Sequence, residues 1–113
     1  MKTVVHLSNA DPALHEAVVG NVRNLLADET LAHEAVALVV NGGGIGLLRE
    51  DSPQCEGIEA LAAEGVTLKS CRNTLEGGDI DEADLLDGVE IVPSGIGEVA
   101  RLQSEENYAY FKP

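Results

Sequence analysis

The stretch AVALVVNGGGIG (residues 35–46) sets six apolar residues in a row against four glycines in the next six positions. A short, Val-rich apolar run ended by turn residues reads as a strand buried on both faces, the kind found inside a parallel sheet. The glycines after it read as a tight strand-to-helix turn that needs a positive φ. A parallel strand implies a crossover helix on either side of it, so the search moves outward from here.

Upstream, TVVHL (3–7) is a second strand candidate, closed by Ser8 and Asn9. Asp11 followed by Pro12 is a strong helix start, and Leu14, Val18, Val22 and Leu25 recur at helical spacing to about Ala27. Downstream, Ser52-Pro53 predicts the next helix start, with Ile58, Leu61 and Ala62 inward and Gly65 as its stop. VTLKS (66–70) is the third strand, and a weak helical region follows as far as Asp84, Leu85 and Leu86. VEIV (89–92) is the fourth strand, ended by Pro93. A helix from Ser94 to Glu106, buried through Ile96, Val99, Ala100 and Leu102, leads to a final strand, YAYF (108–111). Strands separated by helices predict an α/β fold: a three-layer α/β/α sandwich around a mostly parallel five-stranded sheet with right-handed crossovers. At 113 residues this is one domain, spanning 1–113.

Twenty acidic residues against seven basic ones give a formal charge of −13. Such a surface repels phosphate backbones and anionic lipid, which argues against nucleic acid and membrane partners. The three aromatics, Tyr108, Tyr110 and Phe111, all fall in the last six residues, so no stacking platform for single strands is spread over a surface. Only three of the seven basic residues are lysines, which leaves two readings open: an ordinary acidic protein, or one adapted to high salt. The opening MKTVVHLSNADP has too short an apolar run for a signal peptide, and two cysteines sixteen positions apart make no metal or redox motif. A cytoplasmic protein with reduced thiols is expected.

In open parallel sheets, ligands gather beyond the carboxyl ends of the strands. His6, Asn41, Cys71 and Ser94 each fall at or just past such an end. NGGGIG, through Gly43 and Gly44, could bring bare amides to a small anion, but it completes neither a dinucleotide fingerprint nor a Gly-Lys-Ser/Thr phosphate loop. GIGEVA (95–100) fits G-x-G-x-x-A, with no acidic partner twenty residues on. DIDEADLLDGVE (79–90) has Asp79, Asp81 and Glu90 at calcium-loop positions, but Ala83 and Asp84 where an acceptor and a glycine belong. His6, His15 and His33 share no ligand spacing, so no metal is expected, and His15 and His33 read as surface residues. Cys55 lies on the apolar face of its helix and reads as packing. Cys71 ends a strand and starts a helical turn, where free amides can stabilise a thiolate and Arg72 adds a positive charge. These features alone leave Cys71 open between a reactive and a buried thiol.

VVHLSNADP, VVNGGGIGLLREDSP, GVTLKSCRNTL and GVEIVPSGIGEVARLQSEENYAYFKP together span nearly the whole chain. In these segments the sequence resembles the DsrE/DsrF-like family of small sulfur-relay proteins, with SCRNTL matching its stand-alone branch. The resemblance implies a DsrE-like α/β/α domain that forms a homo-oligomer, trimer or hexamer, and uses no cofactor. It also implies that a cysteine after the third strand, here Cys71, accepts sulfane sulfur as a persulfide between a donor and an acceptor protein. His6, Asn41, Gly43, Gly44, Asn73, Thr74 and Ser94 are then the candidate substrate-binding residues, with Asn73 and Thr74 nearest the sulfur. Relatives often carry His where Asn41 stands. The alternative is a non-catalytic or regulatory module that binds a small anion or metabolite at the same rim.

Thermal melting and light scattering across a KCl series check two of these expectations together. Screening of thirteen excess negative charges should raise the melting temperature from dilute buffer to molar salt. The mass should be that of a trimer or hexamer. A flat or falling melting temperature rejects salt adaptation, and an 11.9 kDa monomer rejects assembly.

Overall fold

In the computed structural model, which describes residues 1–113, Asp11 caps the first helix by accepting a hydrogen bond from the Ala13 amide at 2.9 Å. Pro12 takes the first helical position, where its missing N–H costs nothing, and helix α1 runs Pro12–Ala27. The other helices are α2 (Cys55–Ala63), α3 (Arg72–Gly77) and α4 (Gly95–Glu106). The strands are β1 (Lys2–Leu7), β2 (Ala35–Val40), β3 (Thr67–Cys71), β4 (Glu90–Val92) and β5 (Ala109–Phe111). They form one sheet in the order β4-β3-β2-β1-β5, and every pairing is parallel.

This order explains the layers. From β1 to β4 the chain steps one way across the sheet, so right-handed crossovers place α1, α2 and α3 on one face. The last step reverses direction and passes beyond β1 to β5, which puts α4 on the other face. The main core accordingly joins Val18 and Val22, Ile58 and Leu61, and Leu75 to Val5, Leu7, Leu38 and Leu68. The opposite core is small: Val4, Ala37 and Val39 meet Val99 and Leu102 of α4. Strand alternation does the sorting, since neighbours along β1 and β2 go to opposite cores.

Three details differ from the sequence-based expectation. Helix α2 begins at Cys55, not at Ser52-Pro53, because Ser52 first makes a turn: its carbonyl accepts from the Cys55 amide at 3.0 Å and its Oγ from Gln54 at 3.1 Å. The residues after Asn41 continue as a 310 helix, Gly42–Leu48, with only Gly42 of that run at positive φ (52°). Ile96 and Ala100 are exposed, as is Ala62. A single helix lying across a sheet buries one stripe, which here is Gly95, Glu98, Val99 and Leu102.

Glu98 on that stripe is the exception to an apolar core. It is buried against Lys69 of β3, with which it forms an ion pair, and each is only 8% exposed. Arg101 also donates to both Glu98 oxygens, at 2.9 Å each. The Arg101 hydrogen bonds, opposed by burial and reinforced by Lys69, hold the Glu98 carboxyl down to about 2 from 4.5. The pair fixes α4 on the sheet. Glu98→Gln strands the Lys69 ammonium and should cost about 3 kcal/mol at neutral pH in denaturant unfolding. Because the folded carboxyl titrates below the unfolded one, this stabilisation is complete above pH 4.5 and disappears as pH falls toward 2. The wild-type and Glu98→Gln stabilities should therefore converge over that interval; a constant gap counts against the ion pair.

Candidate functional site at the strand ends

Parallel register lines up the strand ends. Val40 pairs with Ser70, so Asn41, one residue past β2, stands level with Cys71, the last residue of β3. Val4 pairs with Tyr110 and His6 with Val39. Val4 and Val39 face α4, so alternation sends His6, Asn41, Cys71 and Tyr110 to that same face. Gly95, the first residue of α4, is lodged among them. A Cβ at this position would lie 3.1 Å from the Asn41 Cβ and 3.3 Å from the Cys71 Cβ. Glycine lets the helix start this close to both strand ends without crowding them.

Burial alone would push the Cys71 thiol up, but four donors outweigh it and bring it below the ordinary value. These are the Thr74 hydroxyl and the amides of Gly95, Thr74 and Asn73. Cys71 occupies the cap position of α3, although its neutral side chain makes no capping hydrogen bond there. The donors favour the charged form. Thr74 is itself oriented, because its Oγ1 accepts from the Gly42 amide at 3.0 Å, which leaves the hydroxyl proton for the sulfur. Arg72 does not contribute its charge, since its guanidinium pairs with Glu82 at 2.6 Å.

His6 is buried and both of its ring nitrogens are occupied. Nδ1 lies 2.9 Å from the Tyr110 hydroxyl, and Nε2 lies 2.8 Å from Asn41 Oδ1. One neutral tautomer satisfies both: Nε2–H donates to Asn41, and Nδ1 accepts from Tyr110. His6 therefore has no nitrogen left to act as a base toward Cys71.

The remaining sequence candidates lie as follows. Thr74 and Asn73 adjoin the sulfur, Asn73 through its backbone while its side chain is exposed. Ser94 is half-buried, and its Oγ accepts from the Gly97 amide at 3.0 Å, capping α4. Gly43 packs against Ala10, and Gly44 against the Leu7 carbonyl, closely enough that a side chain at either would overlap its neighbour. Both glycines seat the 310 helix on the end of β1. His15 is not at the surface: it is buried, with Nε2 at 2.6 Å from the Asn9 carbonyl, and it secures the loop before α1. His33 is half-buried. Cys55 packs on the main core while remaining more exposed than Cys71, the reverse of what a strand-end crevice suggests, because the first turn of α4 covers the end of β3. No three His, Cys, Asp or Glu side chains converge on a metal-sized site, and no helix is long and apolar enough to cross a membrane. Sequence did not single out Tyr110 as a site residue, and it read Gly95 only as part of GIGEVA; the sheet order brings Tyr110 to His6, and the return of α4 brings Gly95 to Cys71.

Burial slows reaction at Cys71 and pushes its titration up while the four donors bring it down, so the pH profile is the informative measurement. Iodoacetamide labelling of the Cys71 peptide should show its midpoint below that of an ordinary thiol. Thr74→Val should raise the midpoint, and Gly95→Ala should do so as well by pushing the amide away. An ordinary midpoint, unchanged in Thr74→Val, would remove the case for a stabilised thiolate.

Known proteins share the fold. No curated protein matches the chain. A protein of unknown function from Methanobacterium thermoautotrophicum, MTH1491, is 35% identical over 99% of this chain and 98% of its own, with a TM-score of 0.92. A conserved protein of unknown function from Bacteroides thetaiotaomicron, BT1422, is 12% identical over 99% of this chain and 94% of its own, with a TM-score of 0.70, and shows likeness of fold alone. The family model of the DsrE/DsrF-like family matches residues 2–113, and this chain belongs to that family.

Proposed function

We propose that the chain is a sulfur carrier that accepts sulfane sulfur as a persulfide on Cys71 and passes it on. The observation that carries this reading is a Cys71 thiol set among the Thr74 hydroxyl and the amides of Gly95, Thr74 and Asn73, which lower its titration, with both ring nitrogens of His6 engaged elsewhere. An acyl-transfer or hydrolytic cysteine needs a nearby group to shuttle protons. A carrier needs only a thiolate that attacks readily and leaves readily.

The chemistry is a balanced exchange. The Cys71 thiolate attacks the outer sulfur of a donor persulfide, R–S–SH. A new S–S bond forms at Sγ, the donor S–S bond breaks, and R–S⁻ departs with its electron pair. The proton stays on the transferred sulfur, giving Cys71–S–SH. An acceptor thiolate then attacks that outer sulfur and Cys71 leaves as thiolate. The donors from Thr74, Gly95 and Asn73 that stabilise Cys71 as nucleophile also stabilise it as leaving group. No metal or cofactor enters either step.

The low exposure of Cys71, 5%, favours donors that present one sulfur at a narrow tip. We extend the reading to a homo-oligomer, trimer or hexamer. Edge strand β5 is exposed at all three residues, and Ile96, Tyr110 and Phe111 are large apolar side chains left 66%, 41% and 43% exposed. Apolar surface beside an open sheet edge is what an interface covers. The competing reading, a module binding a small anion at NGGGIG, has less support because Gly43 and Gly44 are taken up by packing.

Incubation with inorganic polysulfide followed by peptide mass spectrometry tests the carrier. One added sulfur should appear on the Cys71 peptide, persist in Cys55→Ser and vanish in Cys71→Ser, with the fold intact in each. Sulfur on Cys55 instead, or on neither cysteine, disposes of the reading.

A further inference from the structure

Tyr110, His6 and Asn41 form a hydrogen-bonded chain across three strands that ends beside Cys71, and the exchange written above gives it no task. The tautomer that satisfies both bonds sets its order of donors. The Tyr110 hydroxyl donates to Nδ1 of His6 at 2.9 Å, and Nε2–H donates to Asn41 Oδ1 at 2.8 Å. With Oδ1 committed to His6, the carboxamide of Asn41 has its NH2 group as the remaining donor. That group belongs to a side chain level with Cys71 in the β2–β3 register, and both side chains flank Gly95. The donors to the thiolate come from α3 and α4, so Asn41 reaches the sulfur's surroundings from a separate direction, along the sheet.

We propose that the Asn41 NH2 group holds the outer sulfur of the Cys71 persulfide, and that Tyr110, acting through His6, positions it. This rests on the sulfur-carrier reading and adds the group that recognises the cargo. A persulfide places its terminal sulfur one S–S bond beyond Sγ, outside the cluster of donors that serves the thiolate. A donor aimed at that second position stabilises the loaded state without changing the free thiol. His6 and Tyr110 touch no sulfur. They fix which end of the Asn41 amide points toward it.

The test is the ratio of loaded to free Cys71 at equilibrium in buffer with a fixed proportion of polysulfide to sulfide, read by mass spectrometry beside the alkylation midpoint of the free thiol. Asn41→Ala should lower the loaded-to-free ratio about fivefold, the effect of losing one ordinary hydrogen bond. The alkylation midpoint should stay where it is in the wild type. Tyr110→Phe, which removes one oxygen and keeps the ring, should lower the ratio too, and the double variant should fall no further than Asn41→Ala. His6→Gln offers an amide donor to Asn41 and an acceptor to Tyr110, so it should keep most of the loading, whereas His6→Leu should lose it. Wild-type loading in Asn41→Ala, losses that multiply in the double variant, or equal loading in His6→Gln and His6→Leu overturns this proposal and leaves the carrier standing. A wild-type protein that never loads overturns both.

Discussion

Lys69 is buried where its ammonium could not remain alone, and Glu98 of α4 is what balances it, which ties the start of α4 to the end of β3 beside Cys71. An unpaired ammonium or carboxylate in this small core would cost several kcal/mol, so β3 and α4 are held at one separation and one rotation. Glu98 lies three residues into α4 from Gly95, and Lys69 lies two residues before Cys71. The pair thus locks the first turn of the helix onto the end of the strand. The apolar contacts on this face are too few to fix the helix by packing alone, since only Val99 and Leu102 reach the sheet core from α4.

The thiolate depends on that lock because its stabilisation is local. A positive side chain can act on a sulfur from some distance, but amide and hydroxyl donors act only at contact. The Gly95 amide comes from α4 and the Asn73 and Thr74 donors from α3, so two helices that pack on opposite faces of the sheet converge on one sulfur. The Gly42 amide that orients Thr74 comes from a third element, the turn after β2. Glycine suits 42 by its positive φ and 95 by leaving out a Cβ that would crowd both strand ends.

What the sequence discloses divides along the range of the interaction responsible. β2 spans Ala35–Val40 and α1 spans Pro12–Ala27, matching the reading, because a Val-rich run and an Asp-Pro cap are local signals. The same holds for a last helix starting beside Ser94, which caps it, and for Gly65 closing α2 at a φ of 100°. Ser52-Pro53 misleads because the same residues suit a turn, and the Ser52 carbonyl is drawn to Cys55. Ile96 and Ala100 carry an apolar signal that α4 does not use, because the reversal of direction after β4 leaves one helix to cover a whole face. At the candidate site, Cys71 and Thr74 are legible as a strand end followed by a helical turn. His6 and Asn41 are legible only as strand-end residues. Tyr110 is not, since nothing in YAYF says that β5 pairs with β1 and not with β4.

The manner of stabilising the sulfur also suits a chain of net charge −13. Had the thiolate relied on Arg72, the surrounding carboxylates would have competed for the cation, and Glu82 does take it. Salt would weaken what remained, with a screening length of about 3 Å at molar ionic strength. Uncharged donors give counter-ions no cation to displace, and Cys71, only 5% exposed, is shielded from the field of the acidic surface. The same donors keep the sulfur neutral in its demands: no cation has to be brought to a surface already crowded with pairs. An acidic exterior is compatible with a lowered Cys71 titration here because the groups that lower it are dipoles and not a side-chain cation that surface carboxylates could take.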